Sequence, residues 1–365
     1  MRVLIAPDSF KGSLTAPEVA EAICTGWRRE RPDDHVRCLP LADGGEGTLD
    51  AVASAVPGAR RRECGPVLGP DNRPVAGYYL ALPDGTALVE LATVSGLPQL
   101  DQFRPLTATT RGLGTVLATA LDAGAQKLTI ALGGSATTDG ATGALRELGL
   151  RLINEEGQQL ADGGGALHQL CHLDATALRP PPTGGVTLLT DVDNPLLGPL
   201  GAAAVFGPQK GADEADIALL EEGLFRLAEL SGGQPEAPGA GAAGGAGYGF
   251  ATFWAAAIEP GSAAIAELAG LDGLVAECDF VITGEGTLDA TSFGGKIPGY
   301  VTEVARRHHA RVAIVAGTIT HRPDHLADDL LIATTNLAGS AGASLADPVR
   351  WLEEAGAQAA TTAHE

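Results

Sequence analysis

The chain of 365 residues holds 50 glycines yet keeps 45% hydrophobic residues, which excludes a disordered chain; the glycines cluster in runs with no three-residue period, which excludes a collagen-like one. Asp and Glu number 45 against 24 Lys and Arg, a formal charge of −21, and no arginine group, such as Arg28, Arg29 and Arg31 or Arg60 to Arg62, is long enough to supply the basic footprint that nucleic acid or an anionic membrane requires. The length accommodates one large α/β domain or two moderate ones.

The first apolar run, Val3 to Ala6, is too short for a signal-peptide core, and it meets Pro7, Asp8 and Ser9 as a buried parallel strand meets a loop. Thr15 with Glu18 forms a capping box, and Ala16, Ala20, Ile23 and Trp27 then recur at helical spacing. A second unit repeats the order, with a strand near Val36 to Leu39, a loop at Ala42 to Gly47 and a helix carrying Leu49, Val52, Ala53 and Val56. Between Pro66 and Leu91 alternating strands with turn signals at Asp71 and Asn72 and at Pro83 to Gly85 predict antiparallel hairpins. Short strands follow at Leu128 to Leu132 and Thr187 to Thr190, while the glycine run at 232 to 249 reads as a long connection, with GAGAAGGAGYGF a candidate flexible linker although Tyr248, Phe250, Phe253 and Trp254 imply a return to a packed helix. Strands return at Phe280 to Thr283, Val312 to Ala316 and Leu330 to Ala333, with a helix carrying Val301, Val304 and Ala305 after the first.

This pattern predicts an α/β protein with a discontinuous layout: residues 1–65 and 275–365 form a doubly wound parallel sheet, and residues 66–274 form an inserted α/β domain. Cys24, Cys38, Cys64, Cys171 and Cys278 show no CxxC spacing and read as reduced and mostly buried. With no stretch long enough to span a membrane, a soluble cytoplasmic protein is expected.

Lysine is scarce. Lys11, Lys127, Lys210 and Lys296 stand against twenty arginines, and three of the four lie in glycine-bearing loops, DSFKGS, GPQKGAD and FGGKIPG. A compact ammonium there meets phosphate or carboxylate oxygens as a point charge, and an anionic substrate needs local cations in so acidic a chain. LADGGEGTLD sets Asp43 and Glu46 around two glycines at a strand end; Asp8, Ser9 and Lys11 follow the first strand in the same way, and GEGTLD, Gly284 to Asp289, is the third recurrence. Polar loops at strand C-terminal ends converge in the crevice of an open α/β sheet. ALGGSATTDGATG, Ala131 to Gly143, suits phosphate wrapping by backbone N–H groups and hydroxyls, although no complete GxxxxGK[ST] occurs. Thr190 to Gly198 brings Asp191, Asp193 and Asn194 to another strand end, a pairing suited to magnesium binding or to proton abstraction from a hydroxyl; an Asx-turn before Pro195 is the competing account of Asn194. Neither HExxH nor a Cys/His cluster supports zinc catalysis, and no GxSxG elbow supports an α/β-hydrolase.

In this order, APDSFKGSLTA, PLADGGEGT, LGGSATTDG, TDVDNPLLGPLGAA, FGPQKGAD, GAAGGAGYG and VITGEGTLD resemble the bacterial glycerate kinase type 1 family over nearly the whole chain. The resemblance implies a flavodoxin-like domain with an inserted α/β domain, and ATP-dependent phosphorylation of D-glycerate, usually at the 2-hydroxyl, with Mg2+ shielding the phosphoryl donor. The expected roles are then Lys11 and Ser9 on glycerate or the transferred phosphoryl group, Asp191 as base and Asp43 as the rival base. Asp8, Glu46, Asp193, Asn194 and Lys210 are expected at the substrate. The loop with Gly133, Gly134, Ser135, Thr137 and Asp139, together with Lys296, is expected at the nucleotide, and Glu285 and Asp289 at the metal. Thr287 and Thr291 replace an arginine and a glutamine of the family pattern, and Arg111 and Gly112 replace a serine and a tyrosine. The partner is a small molecule, with monomer and homodimer both open and a hinge closing between the domains. A glycerate 3-kinase and a noncatalytic hydroxy-acid-binding protein are the alternatives; a dehydrogenase would need GxGxxG after the first strand, which PDSFKGS lacks.

Overall fold

The computed structural model describes residues 1–322 and 329–363. Strands lie at Arg2–Ile5 (β1), His35–Cys38 (β2), Arg60–Leu68 (β3), Pro74–Ala81 (β4), Thr86–Glu90 (β5), Lys127–Ala131 (β6), Arg151–Ile153 (β7), His172–Asp174 (β8), Val186–Leu189 (β9), Ala257–Glu259 (β10), Phe280–Leu288 (β11), Arg311–Ile319 (β12) and Leu330–Ala333 (β13). The protein is a mixed α/β chain that divides into two compact units: Met1–Asp43, Asp50–Pro57 and Pro260–Glu365 form the first, Gly44–Leu49 and Gly58–Glu259 the second. The exchange points thus fall at 43/44, 49/50, 57/58 and 259/260, where 65/66 and 274/275 are expected from sequence. The physical reason is that β3 begins at Arg60 and pairs along its length with β4.

In the first unit five strands are all parallel in the order β13-β12-β11-β1-β2. Strand order reverses between β1 and β11, so this is the flavodoxin-type arrangement, with its switch point at the C-terminal ends of those two strands. The Thr15 capping box forms as its sequence dictates: Thr15 N donates to Glu18 Oε2 at 2.8 Å, and Glu18 N to Thr15 Oγ1 at 3.5 Å. It starts the helix Ala16–Glu30, whose Val19, Ile23 and Trp27 are fully buried against β1 and β11 side chains. Each such burial stabilises the fold by about 1.5–3 kcal/mol.

The second unit holds a six-stranded sheet, β10-β9-β6-β5-β4-β3, antiparallel over β3, β4 and β5 and parallel over β5, β6, β9 and β10, with the small hairpin β7-β8 beside it. The hairpins expected between 66 and 91 are thus the antiparallel edge of an otherwise parallel sheet. Its core gathers Val89, Leu91, Leu113, Leu117, Ile130, Leu188, Leu224 and Phe250.

Two expectations are corrected. GAGAAGGAGYGF is no linker: Ala242–Trp254 is helical after a left-handed start at Ala243, Gly244 and Gly245, and Tyr248, Phe250 and Trp254 are buried. The small side chains admit neighbouring backbone where longer ones would exclude it. The thiols are free, but of the five only Cys24 is buried, and Cys171 is exposed. Among the described residues no helix is long and apolar enough to cross a membrane.

Candidate active site

In the first unit the chain leaves β1 still bound to β11. Ala6 N donates to Ile282 O at 2.7 Å and Asp8 N to Gly284 O at 2.8 Å, which fixes Asp8 at the switch-point end of the sheet. The Asp8 side chain is buried at 4% exposure, and Ser9 N donates to its Oδ1 at 2.6 Å. Burial raises the Asp8 carboxyl to about 8; repulsion from Asp43 adds to this, and the Lys11 ammonium opposes it. Lys11 is 60% exposed, with Nζ 3.3 Å from Asp43 Oδ2. An exposed pair of this kind contributes at most about 1 kcal/mol, so exchanging the carboxylate for a ligand oxygen costs little.

β11 supplies the facing acid. Gly284 to Leu288 lie inside that strand, not in a loop after it, and Glu285 and Thr287 pair in register with Ala316 and Thr318 of β12. Burial raises the Glu285 carboxyl, against the Ser292 hydrogen bond and the Lys296 charge, and Lys296 Nζ stands 4.0 Å from Glu285 Oε2. Lys296 is the N-cap residue of the helix Ile297–Arg307. Asp289 directly follows the strand and is tied to Ser292 through its backbone N–H at 2.9 Å. Two buried oxygens here, Ser9 Oγ and Glu285 Oε1, have no hydrogen-bond partner among the described residues. Such atoms cost free energy unless a ligand or ion meets them.

The second unit treats its motif residues differently. Gly133 and Gly134 lie against Gly44 to Glu46: Gly133 N donates to Gly44 O at 3.0 Å, a Cβ on Gly133 would come within 2.4 Å of Gly45 Cα, and one on Gly134 within 2.9 Å of Glu46 Oε1. Gly133 and Gly134, expected at phosphate, and the pair Gly44 and Gly45 therefore allow each other's close approach, and Glu46 packs over Gly134. Glu90, at the end of β5, accepts from Gly47 N and Leu49 N at 3.1 Å each. Sequence reading passed over Glu90, although an acid closing the buried run TALVE was the available signal.

Deeper in this unit, Asp139 is fully buried and accepts from Thr110 N and Thr110 Oγ1, each at 2.9 Å, and from Gly143 N at 3.3 Å. Desolvation raises its carboxyl despite these bonds. Lys210 is 2% exposed and donates through Nζ to the Thr137 carbonyl; desolvation lowers its ammonium to about 7, opposed by the Asp139 charge. Ser135 Oγ and Thr137 Oγ1 lie 3.1 Å apart and are buried too. Thr137, Asp139 and Lys210, expected at nucleotide or substrate, are thus buried side chains that brace the loop from within, while Asp139 Oδ1 has no hydrogen-bond partner among the described residues.

Asp191, Asp193 and Asn194 do follow β9, with Asp191 half-buried and Asp193 exposed. Asn194 is taken up structurally, its Nδ2 donating to Leu200 O at 2.8 Å. The departures from the family pattern also find partners. Arg111 bonds Glu147 at 2.9 Å and Asp162 at 3.3 Å, and a Cβ on Gly112 would meet Leu68 O at 2.0 Å. The Thr291 side chain lies outside the described residues.

A sequence profile described as the Glycerate kinase family matches residues 3–364. The chain is 41% identical over 329 residues to a glycerate kinase of Bacillus subtilis (strain 168), covering 88% of this chain and 86% of that protein. It is 40% identical over 329 residues to a glycerate 2-kinase of Escherichia coli (strain K12), with the same coverage of 88% and 86%. Its structure resembles the crystal structure of a protein described as glycerate kinase 2 from Salmonella typhimurium LT2, with a TM-score of 0.80 and 34% identity over 99% of this chain and 98% of that one. An acidic chain that sets Lys11 and Lys296 beside Asp43 and Glu285 at the switch point of a flavodoxin-type sheet, and that the profile matches over residues 3–364, belongs to the glycerate kinase family.

Proposed function

We propose that the enzyme transfers the γ-phosphoryl group of ATP to the 2-hydroxyl of D-glycerate. The observation that carries this reading is the switch-point cluster: an exposed ammonium on Lys11 paired with Asp43, a buried Asp8, and buried oxygens on Ser9 and Glu285 that have no hydrogen-bond partner among the described residues. The E. coli relative named glycerate 2-kinase supports the 2-position. In the reaction the bond from the γ-phosphorus to its bridging oxygen breaks, a bond to the substrate hydroxyl oxygen forms, the hydroxyl proton passes to a carboxylate, and ADP leaves. Positioning and charge stabilisation supply most of the acceleration.

Lys11 meets the transferred phosphoryl group or the glycerate carboxylate, and Ser9 donates to the same anion. Asp191 accepts the hydroxyl proton, with Asp43 the alternative base. Lys296 and the backbone around Gly133, Gly134 and Ser135 meet further phosphate oxygens. Asp8 and Glu46 shape the substrate side, and Asp193 and Asn194 hold the Asp191 loop.

The residues fit a magnesium ion. Glu285 offers a buried carboxylate oxygen with no partner among the described residues, and Asp289 comes directly after the end of the same strand. Among the described residues no group of three or more His, Cys, Asp and Glu is arranged to hold a metal, so the remaining ligands would be phosphate and water, the set magnesium ordinarily keeps in kinases. Bound there, the ion would neutralise phosphate charge.

The test is product analysis with D-glycerate, ATP and Mg2+. ADP release should require glycerate and stop with EDTA. The product's phosphorus resonance should be a doublet from one methine proton; a triplet from a methylene group would mean the 3-hydroxyl, and no ADP at all would favour a noncatalytic binding protein.

A further inference from the structure

The first unit carries a second recess that none of the roles above uses. It is a partly open cavity of about 190 Å³ at the C-terminal ends of β11 and β12. Its floor is bare backbone: Gly286 of β11 sits beside Gly317 of β12, where a Cβ would fall 2.4 Å from Gly286 O. Apolar walls come from Phe10, Leu345 and Leu352, and Leu345 is 68% exposed, the largest value among the large hydrophobic side chains described. The hydroxyls of Thr287, Thr318 and Thr335 line it and make no hydrogen bond among the described residues. Among the described residues one charged side chain borders it, Lys11, the residue that also joins the switch-point cluster.

We propose that this recess is the nucleoside subsite of the phosphoryl donor, an inference that rests on the kinase reading above. A three-carbon acid has no apolar surface for Phe10, Leu345 and Leu352 to cover, and it would need more than one cation. A nucleoside offers a flat ring that can lie on a side-chain-free floor and cover Leu345, and its ring edge and ribose hydroxyls can use the threonine hydroxyls. With the nucleoside seated so, its phosphates run toward Lys11.

The test compares the parent with Gly286→Leu and Leu345→Glu. A Cβ at Gly286 meets nothing nearer than 3.5 Å, so leucine enters the recess without backbone clash, and Leu345 is on the rim, where glutamate leaves folding intact. Calorimetric titration with Mg2+ present should show ADP affinity falling at least tenfold in Gly286→Leu and about threefold or more in Leu345→Glu, with inorganic tripolyphosphate bound equally by all three proteins and the KM for D-glycerate within twofold. ADP affinity within twofold of the parent in both variants would overturn the proposal, as would tripolyphosphate weakening in step with ADP, which would make the recess a phosphate site. Should Gly286→Leu fail to fold by circular dichroism, Leu345→Glu decides alone. If the parent binds ADP but never phosphorylates glycerate, the kinase reading fails while the same titrations still judge the recess.

Discussion

Lys11 and Lys210 come from sequence contexts that look alike, a lysine directly before a glycine in a loop motif, yet their surroundings are opposite. Lys11 is 60% exposed beside Asp43. Lys210 is 2% exposed, bonded to the Thr137 carbonyl, with its ammonium lowered to about 7. Among the described residues both units keep buried oxygens without a hydrogen-bond partner, Ser9 Oγ and Glu285 Oε1 in the first and Ser95 Oγ, Thr138 Oγ1 and Asp139 Oδ1 in the second, so it is the exposure of the amines that separates them. An ammonium that can exchange a weak partner for a ligand serves chemistry; one desolvated inside a loop serves shape.

The contrast is broken most directly by removing each amine. Lys11→Ala should lower kcat/KM for ATP-dependent turnover of glycerate about a hundredfold or more, with melting temperature nearly unchanged, since a charge stabiliser is lost from an exposed position. An unaltered rate would move the chemistry away from the switch point. Gly244→Val should mainly damage the fold. Its Cβ would lie 2.0 Å from the Thr137 carbonyl at a φ of +67°, so a loss of about 3 kcal/mol or more, read as a fall in melting temperature of about 5 °C or more, is expected.

Two pH profiles sharpen the comparison further. Asp8 is raised from 3.8 to about 8, so the folded state holds its proton more tightly than the unfolded state does; this contribution is fully present below pH 3.8 and is lost as pH rises through about 8. Asp8→Asn should abolish that decline and melt a few degrees higher than the parent at pH 8, while turnover falls. Lys210 is lowered from 10.5 to about 7, so stability is greatest above 10.5 and declines as pH falls toward 7. Lys210→Met should flatten this smaller slope between pH 7 and 10 in thermal melts, and it should cost less than tenfold in turnover.

Much of the architecture was legible because it is local. The Thr15–Glu18 box, the apolar run at Val3 and the turn signals at Asp71 and Asn72 act within a few residues, and each forms where periodicity placed it. The order of the polar motifs at strand ends was legible for the same reason. The run GAAGGAG was misread because composition alone does not distinguish a linker from a close-packed turn; Gly140 N bonding Gly244 O at 3.0 Å makes it the latter. GEGTLD was misread as a loop because two glycines weaken a strand signal, while pairing with β12 keeps the strand intact.

Burial is what no local pattern carries. Sequence by itself determined the α/β class, the helix starts, the candidate acids and lysines, and the family. Only tertiary packing decided that Asp139, Thr137 and Lys210 lie inside while Lys11 stays outside, that Gly133 faces Gly45, and that Glu285 Oε1 is left without a partner. The physical reason is that desolvation depends on every chain segment that surrounds a group, and those segments come from positions far apart along the sequence.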